Sequence, residues 1–327
     1  MALELYNPFA EMIFDRNFCF LTGKLCYDSV SVFPEWLLQH FDLADETFQL
    51  MEKEYSMAYK DMRLPCTLEV KQAFDALEDK FITAYNNGFE GISALDDEVI
   101  FQWAGKIVYG IIYHELTYER GRVEKTRRNF ELSQALIRRF ELFHLMLQSV
   151  VAPVKFKGNK PWSLVIFPLK YSADIFSYRD DMINLLFTMG VNNFGFIIHF
   201  QDNGAIAAKE NVLLQQLQGH VLHPVQYEEL YARFHYSDYI LQYEPKYEID
   251  FIDDQVIIES LPMIPNEDLP LFGRWDNSLF AQLLANYWEV YGLEGEEIMP
   301  QQKPLLSFLQ NPYTLDFILP ENINLPY

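Results

Sequence analysis

Cysteine is scarce in this chain: three residues in 327, at Cys19, Cys26 and Cys66. So small and odd a number is no disulfide framework and fits a reducing compartment. Long apolar runs are missing as well. The longest candidate, "VIFQWAGKIVYGIIY", is interrupted by Lys106 and falls short of the roughly 20 residues that span a bilayer. The opening "MALELYNPFAEMIFDRN" has no basic leader followed by an apolar stretch and a small-residue cleavage site. The expectation is a cytoplasmic protein with no membrane contact. Positive charge is also in short supply, with 25 Lys and Arg against 47 Asp and Glu and a net charge of −22. That balance argues against a generic nucleic-acid binder, whose affinity comes from neutralising phosphates with Lys and Arg.

Several chemical signatures are absent too. No G-x-G-x-x-G or G-x-S-x-G occurs, and "TGKL" lacks the upstream glycine and the following Ser or Thr of a P-loop. "HELTY" at 114 to 118 begins like a zincin, but Tyr118 stands where the second histidine is required.

What the chain does have is apolar and aromatic surface: half its residues are hydrophobic, including 27 Phe and 20 Tyr. That is ample for a core, and the length suggests about two domains. Apolar periodicity predicts helices over "FPEWLLQHF", "TLEVKQAFDALEDKFITAYNNG", "DDEVIFQWAGKIVYGIIYHEL" and "EKTRRNFELSQALIRRFELFHLMLQSVV". Short strands are expected at "TFQLME" and "YSMAYKDM". After Pro153 the period changes. "WSLVIFPLKY", "MINLLFTMG" and "NNFGFIIHF" read as buried strands, "HPVQYEELYARFHYSDYILQ" as a helix, "KYEIDFID" and "QVIIESLP" as a hairpin, and "NSLFAQLLANYWEVYGL" as a last helix. The expected class is α+β: a mainly helical amino-terminal region, residues 1–152, carrying a degenerate zinc-knuckle or ββα-like segment, then a mixed α/β region, residues 153–327, with a central β-sheet. Tyr287, Trp288 and Tyr291 near the end fall at helical spacing with Leu283 and Leu284 and read as packing.

The scarce positive charge is concentrated. Between Arg120 and Lys160 there are ten basic residues against Glu124, Glu131 and Glu141. Arg127 with Arg138, and Arg128 with Arg139, are eleven residues apart, which on one continuous helix returns each pair to nearly the same face. This stripe is the candidate site for an anionic partner, either nucleic acid or an acidic protein surface. The alternative is that it pairs with the chain's own acidic surface.

Three segments, "CFLTG", "SVFPEWLL" and "LPCTLEVKQAFDALED", follow one another in the order of C-x-x-C, H-[IV]-F-P-x-W-L and C-x-x-C-N-N ahead of a helix. Over about residues 17 to 80 the chain resembles HNH-type endonucleases of the ββα-metal class. The resemblance puts the two zinc pairs at Cys19 with Thr22 and at Cys66 with Glu69. It puts Ser31 where the family has its catalytic histidine, and Val70 and Lys71 at its asparagines. Phe33, Pro34, Trp36, Leu77 and Glu78 keep the scaffold's spacing. A structural zinc wants four N or S donors, and Thr22 is a poor ligand. Ser31 has no pKa suited to a general base. The expectation is therefore a non-catalytic binding protein on a degenerate HNH-like scaffold, with no metal and no cofactor, its loop ordered by burial of Phe18, Phe20, Phe33 and Trp36. The alternative is a metal-dependent hydrolase or nuclease. It would use a site rebuilt from Cys19, Cys66 and Glu69, or a second group of His199, Asp202, His220 and His223 with Glu228 and Glu229 near by in sequence. For that second group, convergence in space is the open question.

Overall fold

A computed structural model describes residues 5–50, 56–126, 132–170, 176–266 and 268–325. The fold is α+β. The amino-terminal part contains β1 (Asp28–Ser31), α1 (Glu35–His40), β2 (Thr47–Gln49), β3 (Ser56–Ala58), β4 (Arg63–Cys66), α2 (Leu68–Asn86), α3 (Gly88–Ser93), α4 (Asp97–Thr126) and α5 (Gln134–Leu147). β1 pairs antiparallel with β4, Asp28 opposite Cys66 and Ser31 opposite Arg63, and α2 follows at once. Thr67 starts α2 by accepting the Val70 N–H on its hydroxyl, which satisfies one of the donors that a helix start leaves free.

α4 is the central element. From Ile100 to Leu116 every residue except Gln102 is buried, so the helix is covered all round rather than along one stripe. The Phe81 ring of α2 lies flat on Trp103 at 3.7 Å. α4 also runs ten residues beyond the expected end at Leu116. The helix expected over 124 to 151 is divided: α4 reaches Thr126, residues 127–131 lie outside the described residues, and α5 starts only after Ser133, whose hydroxyl accepts the Leu136 N–H.

The second part contributes β5 (Val154–Gly158), β6 (Ser163–Pro168), β7 (Phe176–Asp181), β8 (Leu186–Val191), β9 (Phe194–His199), α6 (Ala205–Lys209), α7 (Asn211–Leu217), α8 (Pro224–Tyr239), β10 (Tyr247–Ile252), β11 (Gln255–Ser260), α9 (Asn277–Trp288) and α10 (Gly295–Ile298). Four strands form an antiparallel sheet in the order β6-β9-β8-β7. The expected hairpin is β10 with β11, turned by Asp253 and Asp254, both at positive φ. β11 then pairs in parallel with β5, about 100 residues earlier in the chain.

One face of the four-stranded sheet packs into the core of the helices of the first part, the other meets α6 and α8, with α9 packed on α8. The core does not stop at residue 153. Val154, Trp162, Phe187, Phe196, Val256 and Ile258 belong to one apolar cluster with α2, α4 and α5. Among the described residues, no helix is long and apolar enough to cross a membrane.

Candidate functional site

The opening segment folds as a tight knuckle. The Cys19 N–H donates to the Lys24 carbonyl at 2.7 Å, the Gly23 N–H to the Cys19 carbonyl at 2.9 Å, and Phe18 bridges Leu25. Gly23 sits at φ +66°, and a Cβ there would lie 2.5 Å from the Tyr6 ring, so both conformation and space call for glycine. The Phe20 N–H donates to the Pro65 carbonyl at 2.8 Å, pinning the knuckle to β4. Cys19 and Cys66 are both buried, and both are free thiols. Burial, with Cys19 and Cys26 near by, pushes the Cys66 thiol up to about 12, so it stays protonated and is a weak ligand and nucleophile. Thr22 Oγ1 is buried with no hydrogen-bond partner among the described residues. Glu69 faces solvent, 3.9 Å from the Lys24 ammonium. Among the described residues, no group of three or more His, Cys, Asp or Glu is placed to hold a metal ion. Of the four aromatics expected to order this loop, Phe20 and Phe33 are buried and Trp36 partly so, but Phe18 is 39% exposed.

Ser31 ends β1 and is held by charge. Its hydroxyl donates to Glu35 at 2.9 Å and accepts from Arg63 at 3.0 Å, while Arg63 pairs with Glu35 at 3.0 Å. The hydrogen bonds from Arg63 and Ser31 hold the Glu35 carboxyl below its usual range. Lowered in this way and already paired with Arg63, the Glu35 carboxylate is a weak base for the Ser31 hydroxyl. A cleft of about 210 Å³ opens here, with Lys71, Asp75, Glu78 and Lys106 on its other walls. Each cation in it has its acid: Lys71 with Asp75 at 2.7 Å and Lys106 with Glu78 at 3.1 Å. Glu78 is the hub, accepting the Trp36 and Trp103 indole N–H groups on one carboxylate oxygen and Lys106 on the other.

The carboxy-terminal group divides. His199 Nε2 is 2.8 Å from Asp238, and its Nδ1 is 3.9 Å from Asp202. Burial opposes a charge on His199, but the Asp238 and Asp202 carboxylates outweigh it and raise its pKa. Asp202 is fully buried two residues before Gly204, the N-cap of α6, and accepts the Ile206 N–H and the Ser163 hydroxyl. His223 lies elsewhere: it caps the start of α8, its Nδ1 accepting the Val225 N–H. Asp238 is near the other end of that helix, about 22 Å away at 1.5 Å per residue. His220 packs its ring on Phe317. His199 and Asp202 thus come together, while His220 and His223 do not join them. Glu228 pairs with Arg179, and Glu229 accepts the Phe308 and Leu309 N–H groups.

The basic segment is also divided. Arg127 and Arg128 lie outside the described residues; of the four-arginine stripe, Arg138 and Arg139 on α5 are described. Several of its neighbours are used internally: Arg120 donates to the Met12 carbonyl, Lys157 pairs with Glu259, and Lys160 lies 3.8 Å from Asp96. Arg139 donates to the Ile183 carbonyl at 2.9 Å. Arg138 is exposed and makes no ion pair among the described residues. Both arginines line a groove of about 560 Å³ with Ser133, Gln201, Glu244, Lys246 and Tyr247 over an apolar floor that includes Leu136, Leu142 and Leu261. The Tyr247 hydroxyl is buried without a partner among the described residues. Lys246 and Tyr247 are about 100 residues beyond α5 in the chain, and no spacing in the sequence signals that they meet it.

No protein-family model, curated protein or solved structure matches the chain.

Proposed function

We propose that the chain is a non-catalytic binding protein. Its segment from about residue 17 to 80 is a degenerate HNH-like scaffold, and its groove at α5 takes an anionic partner. The observation that carries this reading is the groove itself: Arg138, Arg139 and Lys246 gather on a chain whose net charge is −22, beside a buried tyrosine hydroxyl with no partner of its own among the described residues. Cations focused in a concave wall raise the local concentration of an anion despite the overall charge. The apolar floor and the presence of Glu244 favour an acidic protein segment with an apolar side chain over nucleic acid, whose dense phosphate charge meets the chain's long-range repulsion. Supporting the non-catalytic part, Ser31 is tied to Glu35 and Arg63, and the cleft around it has its cations already paired.

The test is charge reversal at Arg138 and Lys246, two exposed side chains that hold no other element in place. Binding of a labelled peptide rich in Glu and Leu, followed by anisotropy, is expected to weaken at least about ten-fold, or about 1.4 kcal/mol. Unchanged binding in R138E/K246E refutes the reading. Equal or tighter binding of oligo-dT by the unaltered chain moves the partner to nucleic acid.

A further inference from the structure

The four-stranded sheet ends at β7, and its outer edge opens on a second cleft, of about 600 Å³. Alternation along a strand sends Arg179 and Asp181 to the α8 side of the sheet and Tyr178 and Asp180 to the other side. On the α8 side Arg179, Asp181 and His235 each have a partner. Arg179 meets Glu228 at 3.0 Å and lies 4.9 Å over the Tyr287 ring. His235 reaches Asp181 at 3.2 Å with one nitrogen and the Tyr287 hydroxyl at 2.6 Å with the other. On the opposite side the Tyr178 and Tyr59 hydroxyls bond to each other at 2.9 Å. Asp180 differs: no hydrogen bond and no cation reaches its carboxyl among the described residues, and the charged groups that raise its pKa are both acids, Asp181 and Glu115.

From this we infer that the cleft at the edge of β7 binds an organic cation, a primary alkylammonium or guanidinium group, with Asp180 as its counter-ion. The walls choose the ligand class. An anion meets the Asp180 carboxylate, with Glu115 acting on it from α4, while the cations of the same cleft are already taken, Arg179 by Glu228 and His235 by Asp181. A neutral ligand covers the carboxylate without pairing it, which costs free energy rather than gaining it. A cation relieves that penalty, and the hydroxyls of Tyr59 and Tyr178 offer acceptors beside it. The Arg179 guanidinium over Tyr287 shows that an aromatic face of this cleft already accommodates a cation. Asp180 itself is held up to about 6 by burial and those two acids, so a bound cation also draws a proton off it. The charged and titratable groups around it are Asp181 on its own strand, Glu115 from α4, Tyr59 from the turn before β4 and Tyr178, while Arg179, His235 and Tyr287 line the same cleft from the α8 side of the sheet.

Calorimetric titration of the full chain with butylammonium and with butylguanidinium, at about pH 7.5, tests this. Saturable binding of at least one cation is expected, with n-butanol and butyrate at least about ten-fold weaker. Affinity should fall about ten-fold on going to about pH 5, as Asp180 takes up its proton. D180N should lose both the affinity and the pH dependence while keeping the native circular dichroism, and H235Q should keep the pH dependence. The inference is overturned if D180N binds as tightly as the unaltered chain, if butanol matches the cations, or if neither cation saturates.

Discussion

Glu78 gives the sharpest test of what holds the amino-terminal part together. Its side chain is 18% exposed and that of Lys106 only 5%, so this is a nearly buried ion pair. Both indole N–H groups, from Trp36 at 2.6 Å and Trp103 at 3.0 Å, converge on Oε1, whereas Lys106 is on Oε2 at 3.1 Å. Glu78→Gln therefore has a definite geometry: the amide oxygen can keep both indoles, and the amide nitrogen then faces the ammonium, donor against donor. Leaving a buried charge unpaired costs about 3–5 kcal/mol, and relaxation of Lys106 toward the cleft lowers this to about 2–4 kcal/mol. Glu78→Ala also strands the two indoles, adding about 1–3 kcal/mol for Trp103, which has no access to water. Lys106→Met in the Gln background removes the stranded charge, so the double variant should recover about 1–3 kcal/mol over Glu78→Gln alone. Urea unfolding followed by tryptophan fluorescence measures the unaltered chain, both Glu78 variants, Lys106→Met alone and the double variant, with constant m-values as the check on cooperativity. A Glu78→Gln variant within about 0.5 kcal/mol of the unaltered chain, with no coupling to Lys106, would sink the argument.

Asp180 makes a pH-dependent prediction. Its folded pKa of about 6 lies above its ordinary 3.8, so ionisation costs stability; the cost grows as pH rises from about 4 through 6 and is complete above that. The ceiling is about 3 kcal/mol, and opening onto a solvent-filled cleft reduces it to about 1–2 kcal/mol. Asp180→Asn should thus raise the thermal midpoint at about pH 7.5 and leave it unchanged near pH 4; equal effects at both pH values would contradict this. Thr22→Val removes a buried hydroxyl that has no partner among the described residues and keeps its shape, so denaturant unfolding should show no loss, or a gain of up to about 1 kcal/mol. A loss above about 1 kcal/mol would mean that the hydroxyl has work in the native state. Gly110→Ala sets two effects against each other: helix propensity favours alanine by about 1 kcal/mol, but the new Cβ would lie 2.5 Å from a Val32 methyl. Overpacking of about 1–3 kcal/mol should win, and Val32→Ala in the same chain should restore part of it. A stabilised Gly110→Ala single variant would show that α4 can move away from β1.

Much of the fold was readable wherever the signal is local. α2 begins at its Thr67 cap, α8 at the His223–Pro224 step and α9 at Asp276, whose carboxylate accepts the Ser278 and Leu279 N–H groups. The strands β6, β8 and β9 stand where apolar runs are bounded by turn residues, and β10 and β11 flank the Asp253–Asp254 turn. The division before α5 was not readable. Apolar and basic periodicity runs on through 124 to 151, and only the Ser133 hydroxyl on Leu136 marks the new start. A serine in a helical pattern is common enough that periodicity overrides it.

The helical periodicity, the hairpin turn and the α+β class can be read along the chain, because each follows from the preferences of residues a few positions apart. Only the packed fold shows that β5 pairs with β11, that Cys19 and Cys66 are buried while Glu69 faces water, and that His199 meets Asp238 rather than His223. It also brought Lys246 and Tyr247 to α5 and left Asp180 without a cation among its described neighbours. The physical reason is the same in each case. Contacts between residues far apart in the chain are set by how whole apolar faces close against one another, and only after that closure does a given charge meet a partner or go without one.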